Sequence, residues 1–550
     1  MTAGNIGRSS LLLASGTVVS RILGFISAVV LAQTLGTVGQ GADAFALANQ
    51  LPNNIYAIVA GGVLSAVLVP QIVRASQHDD GGARYINKLL TLGLLVFGIV
   101  AVVATVCAPL LVSLYAGQGS DAGFDGESLA LATAFAWWCL PQILFYAIYA
   151  LLGEVLNARG VFGPFTWAPV VNNVIAIAGM LALTAAFPAE PGVTPFWNSY
   201  HFAEWWTAGP IAVLAGTATL GVAAQSMILF LFLRRAGVHF TPDFRFRGVG
   251  LRRASQLAGW TLGMIVLTQI AGLVQTNVAS IASADGQPAI AVLRFSWLVF
   301  MLPHSVATVS LATAYFTRMS ADVRDGRWES LSRDIVESVA RIGLFMFLAT
   351  AGIVTLSVPI SAVFSSEPET VVEMATVLAG FAVGLVPFSV VFVMQRIFYA
   401  LEDTRTPFVV QIVHSGVFIV GALLIGAGNN GHIARELALL TSLVGFIQAG
   451  LLVALLRRRL GSVGLRELAR HGSRFVIAGI VAVVAGYLTL SAVGFSIDRY
   501  MDQHFSFGSM PTTLVILSGV GAVMTAGYSA TLLLLRDPHM GAIVSGLRRR

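Results

Sequence analysis

The chain has 550 residues, of which 56% are hydrophobic and only 11% are charged. Soluble proteins carry about 25% charged residues, so this composition excludes an ordinary soluble enzyme. The net charge of +6 rests on arginine, since Lys88 is the only lysine, and in a membrane protein such an excess marks cytoplasmic loops rather than nucleic-acid binding.

Apolar segments long enough for a helix to cross the hydrocarbon core of a bilayer recur along the whole chain. We predict an all-α polytopic membrane protein with fourteen transmembrane helices. They lie at 9–36, 43–74, 86–116, 127–156, 163–187, 205–233, 254–283, 287–316, 335–364, 370–400, 407–426, 435–456, 474–494 and 511–535.

Charge alternates between successive connections of this arrangement. The connections after even-numbered helices carry nearly all of the loop arginines, whereas those after odd-numbered helices carry mainly aspartate and glutamate. By the positive-inside rule, both termini are predicted to be cytoplasmic, and residues 188–204 and 495–510 are predicted to lie outside. The predicted location is the bacterial cytoplasmic (inner) membrane.

An internal repeat relates two stretches that begin at Pro141 and Pro387. Each has a proline inside a span, an aromatic-rich run, a polar turn with one arginine (Arg159 or Arg405) and a closing Pro-Phe. Six helices separate the copies, so they are parallel repeats, and the pseudo-twofold axis between them lies along the membrane normal.

Three regions follow from the repeat. Helices 1–6 form an N-lobe at residues 1–236, and helices 7–12 form a C-lobe at 237–460. Residues 461–550 comprise an interfacial amphipathic segment, 461–473, and the extra helices 13 and 14. Two six-helix lobes of this kind normally flank a central substrate cavity.

The chain shows no enzyme motif. The nucleotide-binding G-x-x-x-x-G-K-[ST] and zinc-binding H-E-x-x-H patterns are both missing, and no G-x-S-x-G falls on a strand-to-helix elbow. His304 and His414 are lone histidines in spans and are interpreted as packing residues. We therefore predict no enzymatic activity, no catalytic residue, no cofactor and no metal site.

Charged residues inside the spans are the strongest indication of function. Arg21 is about twelve residues into helix 1, about 18 Å deep and near the bilayer midplane. Arg294 lies closer to the outer end of helix 8. We expect both to line a polar cavity, where a guanidinium suits a phosphate; the alternative is a structural ion pair or a helix-end anchor. Glu154 and Arg396 lie near cytoplasmic ends, where snorkelling or gate salt bridges explain them.

Four stretches resemble the MurJ/MviN family of lipid II flippases, in the multidrug/oligosaccharidyl-lipid/polysaccharide exporter superfamily. They are SRILGF (20–25), ADAFALANQLPN (42–53), GGVLSAVLVP (61–70) and RIFYALEDTRTPF (396–408). The resemblance implies two lobes that move lipid-linked peptidoglycan precursor to the outer leaflet by alternating access. It also implies cationic side chains on the pyrophosphate, with lipid II, membrane lipid and cell-wall synthesis proteins as partners.

Site residues follow from the in-span charges, the repeat and the resemblance, which places Arg21, Asp43, Asn53, Arg396, Asp403 and Arg405 on motif positions of the family. Two sets are predicted, substrate-binding residues and gate or cytoplasmic-end residues. The first set is Arg21, Asp43, Asn53 and Arg294; the second is Glu154, Arg159, Arg396, Asp403 and Arg405. Several basic positions of the family are uncharged here, among them Ser27 and Leu298, so the cavity is expected to be less cationic than in the family.

The leading hypothesis is therefore a lipid II flippase, driven by an ion gradient or membrane potential because no ATP motif is present. One alternative is a cation-coupled exporter of amphiphilic drugs or of another lipid-linked oligosaccharide. Such an exporter needs a carboxylate near the centre of one lobe, and Asp43 and Glu154 lie too near helix ends. A second alternative is a non-transporting scaffold for cell-wall synthesis.

Overall fold

The described part of the chain is helical. The computed structural model describes residues 3–63, 82–117, 124–161, 163–188, 200, 202–246, 251–284, 286–428, 431–461, 464–503, 505–508 and 510–548. Within these ranges, thirteen helices are long and apolar enough to cross a membrane, and they match thirteen of the fourteen predicted spans. The other predicted span, 43–74, begins in helix Gln40–Val63, and residues 64–74 lie outside the described ranges.

The chain divides into two compact units, Met1–Ala291 and Val292–Arg550. The helices of unit 1 are α1 (Ala3–Leu35), α2 (Gln40–Val63), α3a (Ala83–Val106), α3b (Ala108–Ala116), α4a (Gly126–Cys139), α4b (Gln142–Ala158), α5 (Gly163–Ala186), α6 (Ala208–Met227) and α7 (Leu251–Ala284). Helix α8a (Ile290–Pro303) begins at the boundary of the two units.

The helices of unit 2 continue the chain. They are α8b (Val309–Arg324), α9a (Trp328–Thr355), α9b (Ser357–Ser361), α10a (Pro368–Val383), α10b (Leu385–Ala400), α11 (Arg405–Gly428), α12 (Ile433–Leu460), α13 (Leu465–Ala492), α14 (Met510–Leu534) and α15 (Pro538–Arg548). A single π-helical turn, His304–Thr308, connects α8a to α8b.

The two units share a packing scheme. In unit 1, helix α4 packs against α2, α3 and α6, and α5 packs against α6; in unit 2, helix α10 packs against α8b, α9 and α12, and α11 packs against α12. Helices α4 and α10 are the most buried of the candidate spans. In the apolar 18-residue stretch of each, 56% and 67% of the residues are buried, respectively. The parallel supports the predicted repeat. The packing differs at α1 and α7, which correspond to each other in the predicted repeat. Helix α1 packs on α5, whereas α7 packs on α2 and α3b.

Prolines break the central helices where the sequence predicts the repeat. Helix α4 is interrupted at Leu140 and Pro141, and α10 at Gly384, three residues before Pro387. A proline has no backbone N–H and its ring clashes with the preceding turn, so it removes a hydrogen bond from the helical ladder and favours a break there. Each break lies inside a buried helix, beside protein that accommodates the freed carbonyls.

The C-terminal region differs from the prediction in one element. Residues 465–473, predicted as part of a separate interfacial helix, are the first turns of α13, which continues without a break to Ala492. Gly472 alone does not interrupt the helix, because His471 beside it is buried and its Nδ1 lies 3.0 Å from Oδ2 of Asp537. The lobe boundaries at 236 and 460 stay a prediction.

Candidate functional site

Arg21 is half-buried on α1, at the border between two faces of the helix. Ser20 and Gly24 face α5: the Asn173 amide donates to the Ser20 carbonyl at 3.1 Å, and a Cβ on Gly24 would lie 3.7 Å from the same nitrogen. Ile22 is 55% exposed. Successive residues of a helix are rotated by about 100° about its axis, so Arg21 lies between the face that packs on α5 and the exposed face.

Asn53 and Glu154 border an aromatic cluster formed by α2, α3a and α4b. The Tyr56 ring packs on Phe97 and Tyr146 at centroid distances of 5.8 and 5.9 Å, and Glu154 interacts electrostatically with Tyr56. Asn53 is exposed one helical turn before Tyr56, while Glu154 is half-buried. Two residues predicted for different parts of the site thus flank one cluster in unit 1.

A buried amide at the break of α4 joins three helices, and the sequence analysis missed it. Gln142 is fully buried; its Nε2 donates to Thr219 Oγ1 at 2.9 Å and lies 3.5 Å from Asn49 Oδ1, and its Oε1 accepts from the Tyr146 hydroxyl at 3.1 Å. The Thr219 hydroxyl in turn donates to the Trp138 carbonyl, in the turn before Pro141, at 2.7 Å. A glutamine directly after an in-span proline was the available signal.

Asp43 is fully buried, and both of its carboxylate oxygens are engaged. Oδ2 accepts a hydrogen bond from Ser283 Oγ at 2.6 Å, and Oδ1 accepts one from the Ala291 N–H at 2.7 Å. Asp43 therefore joins the start of α2 to the end of α7 and to the first turn of α8a. This geometry gives Asp43 a structural role at three helix ends.

A row of polar side chains on α7 makes further hydrogen bonds beside the contact between Asp43 and Ser283. Asn277 Nδ2 donates to the Leu114 carbonyl at 2.6 Å, and Ser280 Oγ lies 2.6 Å from the Ala116 carbonyl. These two residues and Ser283 recur every three residues and so share one face of α7. Asn277 and Ser280 satisfy carbonyls at the end of α3b, and Ser283 donates to Asp43. The sequence analysis did not single out this row.

Unit 2 contains a buried, hydrogen-bonded histidine directly after α8a, the helix that carries the half-buried Arg294. His304 is 2% exposed, and its Nδ1 lies 2.9 Å from Ser389 Oγ, which also accepts from Thr308 Oγ1 at 3.1 Å. His304 also packs on Phe388 at 4.7 Å. The packing role predicted for His304 agrees with these contacts. The π-helical turn itself was not predicted; such turns often occur at functional sites.

Arg396 lies between two phenylalanine rings on α8b and α10b. Its guanidinium carbon is 5.6 Å from the Phe316 ring centroid and 5.0 Å from that of Phe392. The side chain is half-buried, as cation–π packing requires. Arg396 is thus held by packing near the end of α10b.

Asp403, in the turn before α11, acts as a helix cap. It accepts hydrogen bonds from the Thr406 N–H at 2.9 Å and the Thr406 hydroxyl at 2.7 Å, and it forms a salt bridge with Arg459 of α12. Burial raises the pKa of Asp403, but these hydrogen bonds and the Arg459 charge outweigh burial and hold it below its usual value. Arg405, the first residue of α11, is exposed.

Arg159 occupies a different position in the repeat from Arg405. It is the C-terminal cap residue of α4b and is followed by Gly160 with φ +74°. At the end of α10b the same positions are Leu401 and Glu402, the latter with φ +57°. The left-handed turn therefore aligns Arg159 with Leu401, whereas Arg405 begins the next helix.

These side chains supply cationic and hydrogen-bonding groups along helices that cross the membrane. Guanidinium groups in such positions bind anions, and amides and hydroxyls bind polar head groups. Within the described ranges, no group of three or more histidine, cysteine, aspartate or glutamate residues is arranged to hold a metal ion.

Similarity to solved structures concerns the fold. "Lipid II flippase MurJ, inward closed conformation" superposes with a TM-score of 0.69 at 18% identity, covering 95% of this chain and 100% of that one. An inward-facing multidrug resistance MATE family transporter of the MOP superfamily gives 0.63 at 16% identity, covering 80% and 95%. Both fit a two-lobe transporter fold, which confirms the predicted fold class.

Sequence comparisons extend along nearly the whole chain. A probable lipid II flippase MurJ of Vibrio cholerae is 26% identical and covers 96% of each chain, and that of Rhizobium meliloti is 27% identical, covering 94% of this chain and 91% of its own. The family model described as lipid II flippase MurJ matches residues 31–515. The chain therefore belongs to the MurJ family of lipid II flippases.

Proposed function

We propose that this protein moves lipid II from the inner to the outer leaflet of the bacterial cytoplasmic membrane by alternating access. The match of residues 31–515 to the family model carries the proposal. The candidate spans agree with a multi-pass membrane protein. The polyprenyl tail stays in lipid, while the pyrophosphate and sugars need a polar route, so the transported molecule requires both kinds of surface.

Arg21 is proposed to bind the pyrophosphate. An arginine near the middle of a span costs about 2.5–3.5 kcal/mol on insertion scales, and this cost is reduced where the side chain faces polar surroundings. Its half-buried position, away from the α5-facing residues, leaves it at the edge of the exposed face. Asn53 and Arg294 are proposed as further contacts for the head group, with Asp43 positioning α2 through its helix-end hydrogen bonds.

The helix breaks supply places where spans bend. Helices α4 and α10 are interrupted beside prolines, and α8 changes to a π-helical turn after Pro303. Kinks of this kind have lost ladder hydrogen bonds, so bending there costs less than in a continuous helix. We propose these three positions as the hinges of alternating access.

A second group of residues is proposed to control access at the cytoplasmic end. Arg396 lies near the end of α10b, Asp403 lies in the turn that follows, and Arg405 begins α11. Asp403 connects this turn to Arg459 of α12 through a salt bridge. Glu154 and Arg159 stand at the corresponding end of α4b. Changes in these contacts would alter the turns that end the two central helices.

The energy source is proposed to be an ion gradient or the membrane potential. One charge moved across the full membrane is worth about 2.3 kcal/mol per 100 mV, enough to bias a cycle strongly. The chain itself is proposed to be a transporter without enzymatic activity, acting with cell-wall synthesis proteins that supply and use lipid II.

Reconstitution tests the proposal. Liposomes containing the purified chain and head-group-labelled lipid II, with an imposed ion gradient and membrane potential, are treated with an impermeant reagent that modifies only the outer leaflet. Translocation should exceed that of protein-free liposomes, and a labelled phosphatidylcholine should not move faster than in them. Equal movement of lipid II with and without the protein would contradict flippase activity.

A further inference from the structure

A polar cavity of about 640 Å³ lies in unit 1, and its lining does not include Arg21, Asn53 or Glu154. It is formed where residues 237–246, which follow α6, cover the first turns of α3a. Its lining includes Arg84, Asn87, Thr241, Asp243, Phe244 and Arg245. The volume falls within the range of about 300–1,000 Å³ typical of small-ligand sites.

Specific hydrogen bonds hold the covering segment on α3a. The Asn87 amide donates to the His239 carbonyl at 3.1 Å and to Thr241 Oγ1 at 2.8 Å, and the Asp243 N–H donates to Thr91 Oγ1 at 3.0 Å. Asn87 and Thr91 are 7% and 4% exposed. The cavity wall is therefore built from buried polar contacts between two distant parts of the chain.

The charge around the cavity is positive. Arg84 and Arg245 line it, Lys88 stands one turn along α3a from Arg84, and Asp243 is the one acidic residue of the lining. A hydrogen bond from the Arg245 N–H lowers the pKa of Asp243, and the charges of Arg245, Lys88 and Arg84 lower it further. One carboxylate thus faces three cations, which leaves the cavity suited to an added anion.

The start of a helix also favours an anion. Helix α3a begins at Ala83 after Gly82, which provides no side-chain cap, and Ala83 and Arg84 of its first turn line the cavity. The positive end of the helix dipole therefore lies beside the cavity.

We propose that this cavity binds a phosphate group, carried by a lipid head group or by a soluble phosphate compound. Two arginine forks and a helix N-terminus match the several acceptor oxygens of a phosphate. Phe244 at the rim is 65% exposed and provides apolar contact beside the charge. The proposal does not depend on the proposed function.

Binding by the full-length protein tests the site. The double variant Arg84→Gln/Arg245→Gln removes both forks, and Arg457→Gln/Arg458→Gln, at the exposed end of α12, removes the same charge elsewhere. The probes are nanodiscs of phosphatidylglycerol or phosphatidylcholine, read by native mass spectrometry, and inorganic phosphate, read by calorimetry. The first variant should lose about tenfold or more in affinity, and the control should stay near the unsubstituted chain.

The two probes distinguish the sources. Loss of phosphatidylglycerol retention in the Arg84/Arg245 variant assigns the phosphate to a lipid, and loss of inorganic phosphate binding alone assigns it to a soluble compound. Equal affinities in the two double variants, or no binding of either probe to the unsubstituted chain, would contradict the proposal. Neither result bears on lipid II translocation.

Discussion

At the scale of single residues, position along a span and hydrogen bonding separate the charged side chains into two kinds. Asp43 and Asp403 have their oxygens engaged by helix-end donors, so their geometry accounts for them structurally. Arg21 lies in mid-helix at the edge of an exposed face. Resemblance to a family selected all three, and their positions, at helix ends or in mid-helix, distinguish them.

Asp43 provides a test of the structural role. Asp43→Ala should lower the free energy of unfolding by about 1–3 kcal/mol, because the buried Ala291 N–H and the Ser283 hydroxyl lose their acceptor. Thermal unfolding in detergent measures this. Ser283→Ala, which removes one of the two bonds, should cost less. If Asp43→Ala unfolds at the temperature of the unsubstituted chain, the joint does not stabilise the fold.

At the scale of helices, close packing depends on glycines that the composition alone does not single out. Gly221 of α6 faces α5, where a Cβ would lie 2.4 Å from Asn172 Oδ1 and 3.0 Å from its backbone oxygen. The open side of α11 provides a contrast, since a Cβ on Gly416 would have no heavy atom within 4 Å. Small residues let neighbouring spans approach.

Two alanine substitutions compare these sites. Gly221→Ala should lower stability by about 1–3 kcal/mol, because α5 and α6 must separate or strain to admit the methyl group. Gly416→Ala should cost nothing, as its Cβ enters open space. The temperatures of unfolding in detergent report both. Equal temperatures for the two variants would mean that α5 and α6 adapt without cost.

The positions of the helices were predictable from the sequence, whereas the helix breaks and the hydrogen bonds between helices were harder to predict. Hydropathy located the spans because each must present about 20 apolar residues to lipid. It did not locate the Gln142 network, the polar row on α7 that includes Asn277 or the π-helical turn at His304, since these depend on partners distant in the chain. The amphipathic pattern of 461–473 also predicted a helix separate from α13. In the structure, residues 465–473 are the start of α13, and His471 among them is buried.

At the scale of the whole molecule, the arrangement of loops across the membrane follows from charge. Phe240, in the segment that covers α3a, is predicted to face the cytoplasm, as are both termini, while residues 188–204 and 495–510 are predicted to lie outside. A single cysteine at position 240, after replacement of Cys107 and Cys139, should react with an impermeant maleimide only in inverted vesicles. Labelling of position 240 in intact cells would overturn the fourteen-helix topology.

The central claim is that Arg21 binds the pyrophosphate of lipid II during translocation. Arg21→Lys keeps the charge but loses the planar fork that pairs two oxygens of a phosphate, so it should translocate slowly. Arg21→Ala should translocate little or none, and Ile22→Ala, on the exposed face beside it, should translocate normally. All three variants should insert and unfold like the unsubstituted chain.

The most direct measurement is the initial rate of lipid II translocation by Arg21→Ala in liposomes, normalised to the amount of folded protein. We predict a rate near that of protein-free liposomes, with Ile22→Ala near the unsubstituted rate in the same preparation. A normal rate for Arg21→Ala would contradict the account, and Arg21 would then be a structural residue of α1.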